Sequence, residues 1–102
     1  DPELIARLIR RLGDAAALFY AWQHGNGSTL AQPKEQELLQ LPGRGELDFG
    51  PIVAALRAIR FRGWTEIFMH AFPRGLPMVE GVTNVTAELR CSAAYLDALA
   101  AR

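Results

Sequence analysis

Two apolar runs of strand length constrain this chain more than anything else in it. AAALFYAW fills residues 15–22 and WTEIFMH fills residues 64–70. The first has no clear period of two, as in a strand buried on both faces. In the second, alternation turns Glu66, Phe68 and His70 one way and Thr65, Ile67 and Met69 the other. No hairpin signal joins the runs, and a helical pattern lies between them, which implies a parallel pair. Such a pair has only one shared edge. Each strand still needs a neighbour on its other side, and two strands with three helices cannot supply it. The 102 residues are therefore expected to form a single but incomplete α/β unit. It would be a piece of a larger domain, or one that completes its sheet with another copy.

The helices are legible from their ends. Asp1-Pro2-Glu3 supplies a cap, a proline at the first helical position and an acid in the first turn. Leu4, Ile5, Leu8, Ile9 and Leu12 follow at helical spacing, and Gly13 stops the segment, giving a helix over about residues 2–12. Asp48 is the expected cap of a second, over about 49–60, with Pro51 in its first turn and Ile52, Val53, Leu56 and Ile59 inward. Thr83 is the expected cap of a third, over about 84–100. Between the first strand and the second helix runs a long polar connection. Within it KEQELLQL suits about two helical turns, and Pro42-Gly43-Arg44-Gly45 is a turn. A connection of that length inside a compact domain is usually either functional or wrongly assigned as loop.

Composition narrows the function classes. Eleven basic and eleven acidic residues give no net charge, so no basic surface for nucleic acid or an anionic membrane is expected. No apolar run approaches the roughly 18 residues of a membrane span. A lone cysteine, Cys91, excludes an internal disulfide, is expected half-buried in the last helix, and favours a reducing, cytoplasmic location. The loop GNGST lacks the lysine of a phosphate-binding P-loop.

Chemistry is expected where parallel strands end, since ligands of open α/β sheets and barrels bind there. His70 closes the second strand, with Glu66 deeper on the same face. Together they are the candidate acid–base groups, and His70 is also a candidate metal ligand. On the first strand Tyr20, Trp22 and His24 share a face, with His24 at the mouth and Trp22 suited to stacking on a sugar ring. Arg44 and Arg74, each beside a glycine, are candidates for holding a phosphate or carboxylate. The plainer alternatives are a core tryptophan, a glutamate paired to an arginine and a histidine bonded to backbone.

The stretch LPGRGELDFGPIVAALRAIRFRGWTEIFMH resembles the C-terminal part of xylose isomerase-like TIM barrels, the sugar phosphate isomerase/epimerase family. The turn Gly43-Arg44-Gly45-Glu46-Leu47-Asp48-Phe49 and the block from Leu56 to Trp64 carry the likeness. It implies that the runs are strands seven and eight of a (β/α)8 barrel, and the chain its last two to three βα units. It also implies a divalent metal (Mn, Mg, Co or Zn) and isomerisation or epimerisation of a sugar or sugar phosphate by proton transfer next to a carbonyl. Phe68 stands where the resemblance places a ligand glutamate. The resemblance places the other metal ligands upstream, so the isolated chain is expected to be inactive. The alternatives are a carbohydrate-binding barrel without catalysis, and a fragment that self-associates through its open strand edges.

Overall fold

The computed structural model describes residues 1–24, 33–71 and 76–102. The chain is a small α/β structure, with helix α1 (Pro2–Leu12), strand β1 (Leu18–Ala21), helix α2 (Gly50–Ala58), strand β2 (Trp64–Ile67) and helix α3 (Val82–Ala100) in that order. A 3-10 turn over Gly13–Ala15 follows α1, and a longer one over Lys34–Gln40 interrupts the connection between β1 and α2. The strands are parallel, with Leu18 opposite Trp64 and Tyr20 opposite Glu66.

Local chemistry explains the helix ends. Asp1 Oδ1 accepts from the backbone N–H of Glu3 at 2.9 Å and of Leu4 at 3.2 Å, which satisfies two otherwise orphaned donors. Asp48 acts one step earlier than expected. Its Oδ1 accepts from Gly50 N at 2.8 Å, while Phe49 holds the cap position. At the other end of α2, Phe61 N donates to Leu56 O and Arg60 N to Arg57 O. This is the bond pair of a Schellman stop. Its left-handed residue is Arg60, at φ 53°, rather than a glycine. Thr83 does not cap α3: the helix starts two residues sooner, after Gly81. Cys91 is exposed on α3 rather than half-buried.

The core lies between one face of the sheet and the three helices. Ala6 and Ile9 of α1, Ala21 of β1, Phe49 with Ile52, Val53, Ala55 and Leu56 of α2, and Leu99 of α3 are buried together. Phe19 and Ile67 pack onto them from the sheet. Phe49 joins the layers, its ring edge-on to Phe19 at 6.4 Å and to Tyr95 of α3 at 6.3 Å. Burying such a ring contributes about 1.5–3 kcal/mol. Packing is looser towards α3. A groove of about 510 Å³ remains between α2, α3 and the sheet, lined by Phe19, Leu56, Phe61, Ile67 and Leu96 among others.

Both strands are shorter than their apolar runs. Residues 13–15 are still coiled off α1, and past Ala21 the chain turns to the 3-10 segment, with Gln23 N donating to Gln40 O at 3.1 Å. A side chain at Gly63 would run into the carbonyl of Ala17. That carbonyl accepts from Trp64 N at the start of the ladder, so the glycine permits the pairing to begin there. The expectation that the first strand is buried on both faces fails. Alternation sends Phe19 and Ala21 to the helices, whereas Leu18 and Tyr20 are about half exposed on the opposite face. Among the described residues nothing covers that face, and Trp64 on it is 83% exposed. Its apolar residues misled the reading because hydrophobicity reports what a side chain tolerates, not what lies over it. No helix among the described residues is long and apolar enough to cross a membrane.

Candidate functional site

The uncovered face gathers aromatic and imidazole rings at the C-terminal end of the strands. Tyr20 of β1 lies 5.6 Å from Phe68, edge-on, and Trp22 lies 6.1 Å from Phe68. Trp22 also meets both histidines, His24 at 4.7 Å and His70 at 5.7 Å between ring centres. Phe68 and His70 are in T-shaped contact at 4.6 Å. Edge-to-face pairs of this kind contribute about 0.5–1.5 kcal/mol each beyond simple burial. Trp22, His24, Phe68 and His70 are all half-buried, so their rings are held and still accessible.

A buried glutamine fixes this arrangement. Gln40 is 1% exposed. Its Oε1 accepts from the Trp22 indole Nε1 at 2.8 Å and from the backbone N–H of His70 at 2.9 Å. Its Nε2 donates to the His70 carbonyl at 2.8 Å. The side-chain amide thus bonds both backbone groups of His70, as a neighbouring strand would, where β2 has run out of partners. Gln23 does related work one turn away. Its Nε2 donates to Leu41 O at 3.1 Å and its Oε1 accepts from Leu47 N at 2.8 Å, closing the turn between them. Neither glutamine was among the residues expected from the sequence. The signal available was weak: two amides in a polar connection, with partners 18 to 30 positions away.

The expected site residues separate into groups. Trp22, His24 and His70 come together as described. The Nδ1 of His24 is buried without a hydrogen-bond partner among the described residues. Glu66 is exposed on the same sheet face, beside Tyr20 in the register. The pairing with an arginine considered for it is absent among the described residues. β2 ends at Ile67, so Glu66 stands within the strand and His70 three residues past its end. Arg44 lies apart from the rings. It forms a two-pronged ion pair with Glu88 of α3, Nε to Oε2 at 2.9 Å and Nη2 to Oε1 at 2.8 Å. The guanidinium expected to hold a ligand anion is thus occupied by a carboxylate of the chain itself. Arg74 and the GNGST loop lie outside the described residues.

Chemically, the surface offers flat apolar rings, two imidazoles that can carry protons and one carboxylate lower on the face. Among the described residues no three carboxylate, imidazole or thiolate groups converge to hold a metal ion. Comparison of the chain with protein-family models, curated proteins and solved structures finds no match to any of them.

Proposed function

We propose that this chain is the C-terminal segment of a (β/α)8 barrel similar to the sugar phosphate isomerase/epimerase family, and that it contributes the wall of a carbohydrate site. The observation that carries the reading is the Trp22–His24–Phe68–His70 cluster on the open face at the strand ends, the position ligands take in such folds. In a barrel that face points inward and the open strand edges pair with further strands. Trp22 and Phe68 present ring faces or edges to the apolar side of a sugar, and His70 stands at the mouth as the proton carrier for exchange next to a carbonyl. His24 supplies a second imidazole against the same indole. Among the described residues no three carboxylate, imidazole or thiolate groups converge to make a metal centre. The divalent metal of the proposal thus belongs to the complete barrel, and no step here is assigned to it.

Deuterium incorporation from D2O next to the carbonyl of aldoses and ketoses, read by NMR, tests the reading. A full-length protein carrying this sequence is expected to catalyse it, and the 102-residue chain alone is not. His70→Ala should slow it by about 10²–10⁴-fold, the range for losing an acid–base group. Unchanged exchange in that variant would remove His70 from the chemistry.

A second reading, self-association without catalysis, rests on the exposed ring of Trp64 and the half-exposed Leu18 and Tyr20. It expects a dimer or larger species by light scattering of the chain, returning to monomer in Trp64→Glu. A cooperative monomer at high concentration would end that reading.

A further inference from the structure

We propose that the ring-lined face binds a ligand bearing an ammonium group, an amino sugar in preference to a neutral or phosphorylated one. The inference rests on the carbohydrate site proposed above and adds the charge of its ligand. Three observations lead to it.

The first is the company Glu66 keeps. In a parallel pair the residues in register sit side by side, so Glu66 is next to Tyr20, and Phe68 lies one inward step beyond it. An exposed carboxylate thus shares the sheet face that carries the rings. Aromatic rings attract cations through their negative faces, by about 0.5–1 kcal/mol at exposed sites and more when water is excluded. A carboxylate beside the rings adds to that pull, and both terms oppose an anion.

The second is the fate of the basic groups. In the segments that follow the strands the described lysine and arginine residues are Lys34 and Arg44. Lys34 is paired with Glu37 at 2.8 Å and Arg44 with Glu88. Both cations are thus already matched by carboxylates of the chain itself, so neither is left over for an incoming phosphate.

The third is geometry. Tyr20, Trp22 and Phe68 meet edge to face, with interplanar angles of 69° and 84° to Phe68. Rings at near right angles form the corner of a cage, not a flat stacking platform. A small cation seated in that corner touches more than one ring while Glu66 closes the side nearer Trp64.

The chain contains two tryptophans, so Trp64→Phe leaves Trp22 as the sole reporter. Titration of that variant with glucosamine, glucose and glucose 6-phosphate near neutral pH, followed by Trp22 fluorescence, is the test. Glucosamine is expected to bind about tenfold more tightly than glucose, the sum of a cation–π contact and an exposed ion pair, and the phosphate ester most weakly. Adding Glu66→Gln, a change at an exposed position that leaves the core untouched, should remove most of the preference for glucosamine over glucose. Equal affinities, or a preference for the phosphate ester, would overturn the inference while the carbohydrate site stands. A preference unaltered by Glu66→Gln would overturn the assignment of Glu66. Binding of none of the three would overturn the inference, while the carbohydrate site of the complete barrel stands or falls by the deuterium exchange above.

Discussion

Replacing Gln40 by leucine is expected to lower the stability of the chain by about 3 kcal/mol and to dissolve the ring cluster. The shape of the side chain is nearly kept, but the Trp22 indole N–H and both backbone groups of His70 lose their partner. A buried polar group left without a bond costs about 1–3 kcal/mol, and leucine returns only part of that through its apolar burial. For a chain of this size the midpoint of thermal unfolding should fall by roughly 15 °C. Trp22 emission should move to the red as its indole meets water. Gln40→Glu separates the bonds. It keeps both acceptor contacts of Oε1 and sets a second oxygen against the His70 carbonyl. Burial and that carbonyl favour the protonated acid, raising its folded pKa above the unfolded value near 4.3. The variant's stability is then fully present below about pH 4 and is lost as pH rises through the raised folded value. A pH-independent midpoint, equal to that of the parent, would mean that the amide does not hold His70.

Phe49→Ala is expected to cost about 4 kcal/mol, within the usual range for removing a buried ring, and to free α3. The ring is 1% exposed and bridges Phe19 of the sheet to Tyr95 of α3. Natural domains of this length are stable by roughly 5–15 kcal/mol in total, so the loss is a large share of what holds the chain together. Urea denaturation should show the lower midpoint. Amide exchange should be fastest in α3, whose remaining ties are the Arg44–Glu88 ion pair, Leu99 in the core and the looser wall of the groove. Uniform loss of protection across α1, α2 and α3 would show that Phe49 supports the whole core rather than the α3 contact.

The parts of this fold that were legible in the sequence are those written in local chemistry. Asp1, Pro2 and Gly13 mark the ends of α1, and the alternation in WTEIFMH set the two faces of β2 correctly, with Ile67 inward and Phe68 among the rings. The parallel pairing followed from the absence of a turn between the apolar runs. What escaped was non-local. Gln40 carries no periodicity and no motif, and its role depends on Trp22 and His70 arriving from different strands. Arg44 advertised an anion site, yet the anion is a helix residue 44 positions later.

The pairing of Leu18 with Trp64 also has a consequence for how the chain folds. Nothing short joins the two strands, and a parallel ladder gives no reward until the whole intervening segment has been brought round. The contacts between α1 and α2 must likewise wait for that long segment, whereas turns such as the Schellman stop of α2 and the capped start of α1 form at once. Folding should therefore show fast helix formation followed by a slower step in which the ladder and the amide of Gln40 close together. In the interval both strands present unpaired edges and open rings to other chains. Refolding yield should fall as concentration rises, even where the folded state is well behaved.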